Sequence, residues 1–248
     1  MSKISALIPA RSGSKSVPNK NIKKIHKHPL IAYTIISALE CQRIDSVVVS
    51  TNCSKIAKIA QDYGADVPFM RPNELAGDFS TDLDVINHYF KHIKVEEVAY
   101  LRPTSPLRNP AKMSEIIDFY FVNNKKCSGI RSMHKSAMPP YKVFKIDEEG
   151  YGSGFFEDFN GINDYTNLPR QTFPQAYTPN GYVDICKLST LEKYSTAFGT
   201  KIIPYITNHL IDVDTLTEFK LLDFQLSTEG HILLDLLNNR RWGTNILK

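Results

Sequence analysis

Three cations lie close together in the N-terminal segment Leu7–Asn21 (LIPARSGSKSVPNKN): Arg11, Lys15 and Lys20. Ser12, Gly13 and Ser14 stand between the first two, and Asn21 follows the third. Serine and glycine in a turn leave backbone N–H groups free to point at an anion, and the Arg and Lys side chains add charge-assisted donors around it. A triphosphate, with about four negative charges, is the guest such a loop suits. The spacing is neither G-x-x-x-x-G-K-[ST] nor the three-glycine dinucleotide pattern. Taken alone, the segment reads equally as a basic surface turn after a strand.

A second constellation is Asp212-Val213-Asp214. In an extended segment, residues two apart project to the same side, so both carboxylates can approach one hard cation. Mg²⁺ bridging them to phosphate oxygens would relieve their repulsion and neutralise charge that develops in phosphoryl transfer. The competing reading is a helix start, with Asp214 and Glu218 at the N-terminus of a helix from Thr217. A third group is Arg102-Pro103-Thr104-Ser105-Pro106-Leu107-Arg108, where prolines stiffen a loop that carries two hydroxyls between two guanidinium groups. Rigid placement of this kind is what a positioning site needs. Arg102 is expected to face substrate, whereas Arg108 fits a structural ion pair at least as well.

Other chemistries lack support. The seven histidines show no H-E-x-x-H spacing and the four cysteines, Cys41, Cys53, Cys127 and Cys186, form no C-x-x-C pair, which leaves no zinc cage or disulfide framework and makes a reducing cytoplasm the simplest compartment. No G-x-S-x-G elbow is present. A net charge of +4 suits an anionic substrate but not a duplex-binding face. The apolar run Ile4–Ala10 leads into Arg11 and Lys15 and reads as a strand, not a signal peptide. The longest uncharged helical stretch, His28–Leu39, is about half the length a bilayer crossing requires.

The elements that must hold these residues alternate. Strands are expected at Ile4–Pro9, Ser46–Thr51, Val67–Met70 and Val98–Leu101. Helices are expected from near Pro29, from Ser54 as N-cap to a Gly64 C-terminal cap, over Asp82–Ile93 behind Thr81, and over Pro110–Asn123. This pattern argues for an α/β fold with a doubly wound, mostly parallel sheet, whose ligands sit at the carboxyl ends of strands. Later strands are expected at Tyr182–Cys186 and Lys201–Tyr205, and a helix over Thr217–Leu226 with Leu221, Leu222 and Phe224 or Gln225 on its apolar side. Residues 133–175 differ in texture: Pro139-Pro140 and four glycines punctuate exposed-looking Phe155, Phe156 and Phe159. This arm is too apolar for a disordered linker and reads as an oligomer contact or a substrate lid. One domain over residues 1–226 would thus carry the arm, and residues 227–248 a helical tail with a basic end at Arg240-Arg241-Trp242.

Arg11-x-Gly13-Ser14-Lys15 with Lys20-Asn21 resembles the N-terminal signature of the acylneuraminate cytidylyltransferases. The likeness continues in order through Arg71-Pro72 and Leu75–Thr81 (LAGDFST), Leu101–Arg108 (LRPTSPLR), Pro169-Arg170-Gln171 with Pro174–Tyr177 and Asn180-Gly181, and Ile211–Thr215 (IDVDT). The resemblance implies a Rossmann-like nucleotidyltransferase fold. It further implies transfer of a cytidylyl group from CTP, with Mg²⁺, to a sialic acid-like nonulosonic (2-keto-3-deoxy) sugar acid, in a homodimer. A Kdo-type enzyme, or a non-catalytic nucleotide-binding module of the same fold, is the alternative.

Carried over position by position, Arg11, Ser12, Gly13, Ser14, Lys15, Lys20, Asn21, Arg71 and Ser80 would bind nucleotide. Asp212 and Asp214 would bind metal, and Arg102, Thr104, Ser105, Arg170, Gln171 and Tyr177 the sugar acid, with ordinary core packing the competing role for Tyr177. Arg11, Lys20 and Asp214 would be catalytic, Asp214 as the base. Three positions depart from the family pattern: Arg102 stands where glutamine is usual, Thr178 where arginine sometimes occurs, and Asp184 adds a carboxylate after Asn180-Gly181.

Overall fold

The computed structural model describes residues 2–240 and 242. Its elements are β1 (Ile4–Pro9), β2 (Lys24–Ile25), β3 (His28–Pro29), α1 (Leu30–Leu39), β4 (Ile44–Ser50), α2 (Ser54–Asp62), α3 (Asp82–His92), β5 (Glu97–Tyr100), α4 (Pro110–Asn123), β6 (Gly129–Lys135), β7 (Phe144–Ile146), β8 (Gly152–Gly154), β9 (Tyr177–Lys187), α5 (Leu188–Tyr194), β10 (Ile202–Ile206), α6 (Leu216–Thr228) and α7 (Ile232–Asn239). Six strands make the main sheet in the order β10-β6-β9-β5-β1-β4. All neighbours run parallel except β9, which is antiparallel to both β5 and β6.

Helices cover both faces, as the near-continuous apolar strands require. One face packs against α1, α2, α4, α6 and α7, the other against α3 and α5. Residues 30–38 of α1 are all buried, because the sheet lies on one side of that helix and α7 on the other. Three adjacent parallel strands set the position of the site. Pro9 is paired with Ser50, and Leu7 with both Val48 and Tyr100, so β1, β4 and β5 end at one edge of the sheet. The loops that leave those ends converge there.

Several expectations are corrected. Val67–Met70 is not a strand: only isolated bridges at Asp66 and Met70 run beside β4, and Pro68 between them offers no ladder donor. The α2 cap is Cys53, not Ser54, while Gly64 holds the left-handed conformation (φ 91°) expected after the helix. The buried stripe of α6 is Phe219, Leu222 and Leu226, and Leu221 and Phe224 face solvent.

The first residues of the 133–175 segment finish β6. Beyond them, β7 and β8 form an antiparallel hairpin over a local aromatic cluster, in which Tyr141 stacks on Phe173 (centroids 5.0 Å apart) and meets Phe159 at 4.8 Å. Tyr165 Oη donates to the Phe156 carbonyl and accepts its N–H. In the tail, α7 lies on α1, and Trp242 Nε1 donates to the Leu237 carbonyl while its ring packs on Tyr63. The rest of the basic end, Arg241 and residues 243–248, lies outside the described residues. No described helix is long and apolar enough to cross a membrane.

Candidate active site

At the common carboxyl edge of β1 and β5 lies a cleft of about 500 Å³. It is lined by Arg11, Ser14, Lys15, Lys20, Asn21, Arg71, Ser80, Arg102, Thr104 and Asp214 from the expected set, together with Pro9, Ser16, Leu75, Asp78, Thr81, Asp82, Val85, Tyr100 and Pro103. The loop after β1 is pinned from within. Asn21 Nδ2 donates to the Arg11 carbonyl, and the Ser12 N–H donates to Asn52 Oδ1. Gly13 has φ 82°, which a residue with a Cβ adopts only under strain. Ser12 and Gly13 therefore shape the loop without lining the cleft.

The cations of the loop already have acidic neighbours. Asp78 lies 3.2 Å from Arg11 and 2.5 Å from Lys15, and Lys20 lies 2.9 Å from Asp214. The hydrogen bond from Lys15, with further help from Arg11, holds the Asp78 carboxyl below its ordinary range. A phosphate chain is a stronger multivalent anion than one carboxylate, so Asp78 occupies the place where a phosphate oxygen would compete.

Arg71 is 4% exposed, and its Nε and Nη2 have no hydrogen-bond partner among the described residues. Burial lowers its pKa, and Arg11 nearby pushes the same way. Unpaired buried donors beside a cleft are acceptor-seeking groups. Ser80 lines the same end, but its hydroxyl donates to the Glu74 carbonyl.

Thr104 accepts the Val213 N–H at 2.7 Å, which ties Asp212–Asp214 to the loop after β5. Val213 is fully buried and its two neighbours are exposed, so both carboxylates turn away from the core as their spacing implies. The helix-cap alternative is taken by another residue: Thr215 caps α6, and Glu218 accepts the N–H groups of Asp214 and Thr215. The Asp214 carboxylate therefore faces the cleft. Asp212 sits beside it at the Ser105 hydroxyl, 3.4 Å away, outside the cleft lining. Ser105 is buried and donates to the Asn180 carbonyl.

Arg108 is fully buried and has no carboxylate partner among the described residues; it donates to the carbonyls of Tyr182, Arg102 and Gly181 and to the Thr34 hydroxyl. Burial lowers its pKa to about 10. It is a structural staple, made with carbonyl oxygens instead of the expected ion pair.

Arg102 reaches the cleft with both ends of its guanidinium engaged. Nη1 donates to Asp184 at 2.9 Å and Nη2 to Asp82 at 2.5 Å, and the group lies over the Tyr100 ring. Burial opposes its charge, but Asp184 and Asp82 outweigh that and raise its pKa. Asp184, whose role the sequence left unassigned, is the buried anchor of this arrangement. It also accepts the Ser132 N–H and lies 3.5 Å from Arg131 Nε. Gly181, at φ 63°, leaves the guanidinium room: a Cβ there would stand 3.2 Å from Arg102 Nη1 and crowd it.

Four expected sugar residues do not line the cleft within one chain: Ser105, buried behind it, and Arg170, Gln171 and Tyr177. Arg170 and Gln171 line a separate concavity of about 430 Å³ with Phe173 and Gln175. Tyr177 begins β9 beside Lys135 and is half-exposed, so it is not a core residue either. Sequence reasoning missed Asp82 and Tyr100 as cleft residues, because Thr81-Asp82-Leu83-Asp84 reads as a helix start and Tyr100 as a strand residue. Thr81 and Asp84 do form a capping box, yet Asp82 turns into the cleft and accepts the Tyr100 hydroxyl at 2.7 Å.

The chain is 32% identical over 241 residues to the N-acylneuraminate cytidylyltransferase of Escherichia coli O18:K1:H7, an alignment that covers 96% of this chain and 55% of that protein. It is 31% identical to the CMP-N,N'-diacetyllegionaminic acid synthase of Legionella pneumophila subsp. pneumophila, over 88% of this chain and 94% of that one. The fold matches a solved CMP:2-keto-3-deoxy-manno-octonic acid synthetase complexed with CTP, with a TM-score of 0.69, 16% identity, and coverage of 92% of this chain and 100% of that one. A Leptospira borgpetersenii cytidylyltransferase also matches, with a TM-score of 0.58 at 16% identity, over 96% of this chain and 93% of that one. The family model described as Cytidylyltransferase matches residues 5–231, and the chain belongs to that family.

Proposed function

We propose that this chain transfers the cytidylyl group of CTP to a nonulosonic sugar acid of the sialic or legionaminic type, releasing pyrophosphate. The observation that carries this reading is the joining, in one cleft, of the Arg11–Lys15–Lys20 loop, the unpaired donors of Arg71 and the Asp214 carboxylate. The sugar hydroxyl on C2 attacks the α-phosphorus, the bond from that phosphorus to the bridging oxygen breaks, and its electron pair leaves with pyrophosphate. Arg11, Lys15 and Lys20 hold the triphosphate and offset charge on the departing group. Asp214, beside Lys20, takes the proton of the attacking hydroxyl.

Asp212 and Asp214 are the residues that would hold Mg²⁺. Two hard oxygen donors next to a phosphate-binding loop fit a cation that takes one or two carboxylates and completes its shell with phosphate oxygens and water. When bound, Mg²⁺ neutralises charge on the phosphate oxygens. The relatives named above favour a nonulosonic acid over a Kdo-type substrate.

The arm supports a homodimer. Phe144, Ile146, Tyr151, Phe155 and Phe156 are exposed within a stretch of little more than a dozen residues, a patch that a second copy would cover. The four unpaired thiols suit a reducing compartment, and the cytoplasm is the proposed location.

Purified protein with CTP, Mg²⁺ and a panel of sialic, legionaminic and Kdo-type acids should release pyrophosphate with the first two. Asp214→Ala should lower kcat/KM by about 100-fold or more. Silence across the panel, or an unimpaired Asp214→Ala enzyme, would overturn the reading.

A further inference from the structure

Cations also gather at the edge of the sheet opposite the cleft. β5 and β6 start there, β9 ends there, and β10 starts beside β6: Glu97 pairs with Lys187, and Gly129 with both Cys186 and Ile202. Between these strand ends and α5 lies a second concavity of about 470 Å³, close in size to the cleft and within the range that small ligands fill. Five lysines line it, Lys125, Lys126, Lys187, Lys193 and Lys201, and among the described residues no carboxylate does.

Hydrogen bonds of the backbone and of one serine hold this basin together. The Ser128 N–H donates to the Lys201 carbonyl, and the Ser128 hydroxyl accepts the Lys201 N–H while donating to the Phe198 carbonyl. Gly199, at φ 68°, leaves the turn before β10 room: a Cβ there would stand 2.7 Å from the Ser128 Cβ and force a shift. Lys187 is the fixed point of the basin. It is only partly exposed, its ammonium donates to the carbonyls of Asn124 and Cys127, and it lies 5.7 Å from the centre of the Tyr120 ring. Two of its three N–H groups are thereby committed, and one is left for a ligand.

The contrast with the cleft is in the counter-charge. Arg11, Lys15 and Lys20 each meet a carboxylate of the chain, whereas none of the five lysines forms an ion pair among the described residues. Glu97, at the start of β5, accepts the Tyr120 hydroxyl, and Glu192 on α5 lies outside the lining. Tyr194 at the rim reports the same field: a hydrogen bond from Lys193 lowers its pKa.

This chemistry narrows the ligand. Lysine is a compact point charge and lacks the planar fork with which arginine grips a carboxylate. Several such points in a small volume suit an anion with several charges on adjacent tetrahedral centres, which is a short phosphate chain. An extended polyanion calls for a stripe of charge along a face, not a basin of small-molecule size.

We infer that this basin is a second anion site, remote from the transfer chemistry, that binds a short phosphate chain. Inorganic triphosphate and the tail of a nucleoside triphosphate present the same oxygens to Lys187 and its neighbours.

The test is titration calorimetry of the full chain at low ionic strength with inorganic tripolyphosphate, with CTP and with heparin. The proteins are the wild type, a basin variant Lys126→Gln/Lys193→Gln/Lys201→Gln and a cleft variant Lys15→Gln/Lys20→Gln. Wild-type protein should bind two tripolyphosphate ions per chain. The basin variant should weaken one of the two sites by at least about 10-fold and leave the other unchanged, and the cleft variant should do the reverse. CTP titrated into the cleft variant separates the sources. A retained site supports a nucleotide tail, and loss of CTP beside retained tripolyphosphate supports a free phosphate chain.

A single wild-type site that the cleft variant removes overturns the assignment, as does a basin variant that keeps both sites at full affinity. Heparin binding without tripolyphosphate at the basin overturns it in favour of an extended polyanion. If the basin variant does not fold, Lys193→Glu alone, at an exposed position of α5, replaces it, and unchanged binding there overturns the assignment equally.

Discussion

Asp184 is the most exacting place to perturb the molecule, because its fully buried carboxyl group faces two guanidinium groups. Its carboxylate holds Arg102 at 2.9 Å and Arg131 at 3.5 Å and accepts one backbone N–H. With charge centres about 4 Å apart, and the effective dielectric constant of about 20 that suits such sites, the Arg102–Asp184 attraction is about 4 kcal/mol before desolvation is subtracted. Removing one partner of a buried pair leaves the other uncompensated and costs about 3–5 kcal/mol.

Asp184→Asn keeps the shape and one acceptor, so a loss of about 3 kcal/mol is expected, which for a chain of this size lowers Tm by about 6–12 °C. Arg102→Gln leaves Asp184 with Arg131 and should cost less. The double variant should be more stable than the sum of the two predicts, by about 2 kcal/mol. Urea unfolding of the four proteins gives the cycle, provided the m-values agree. A cost below about 1 kcal/mol for Asp184→Asn, or a coupling of zero, would mean that the pair behaves like a surface ion pair, and the account of Arg102 would fail.

Two further outcomes follow from other parts of the fold. His28 is buried between Tyr63 Oη at 3.0 Å and Asn238 at 3.1 Å, and burial lowers its pKa below the ordinary 6.5. An imidazole that folds neutral and charges more easily when unfolded contributes stability that is complete above about pH 6.5 and is lost as pH falls from there through the depressed folded value. Urea midpoints between pH 7.5 and 5 should therefore fall more steeply for the wild type than for His28→Gln, and parallel curves would remove His28 from the account. On the arm, Tyr151→Ser with Phe155→Ser should turn a dimer into a monomer in sedimentation velocity without altering the far-ultraviolet spectrum; a wild-type protein that sediments as a monomer at tens of micromolar would refute the dimer.

The parts legible in the sequence were those whose chemistry is local. The loop after β1 compresses its cations and its turn residues into one segment, and Asp212-Val213-Asp214 fixes its own geometry through the two-residue period of an extended chain. Strand and helix alternation gave the parallel core for the same reason. Antiparallel β9 was not legible, because Tyr182–Cys186 is a continuous apolar-rich run whichever way it is paired, and Asp184 within it had no visible partner. That Arg170 and Gln171 stand apart from the cleft within one chain was not legible, because the order of motifs along a sequence says nothing of the distance between a core and an arm that leaves it.

Position 102 shows where local reading ends. Its departure from the family pattern was visible as a charge, and a charge beside a sugar-acid site invites the conclusion that it meets a substrate carboxylate. What decides the matter is whether that charge is already spent, and its two partners stand 20 and 82 residues away. One of them begins a helix with an ordinary capping pattern, and the other lies inside a strand. Neither looks functional until the guanidinium is seen to bridge them. A cation held by two carboxylates no longer recruits an anion; it fixes the orientation of the exposed carboxylate. Arg102 therefore serves the cleft by holding Asp82 in place, and its guanidinium is committed to carboxylates of the chain itself.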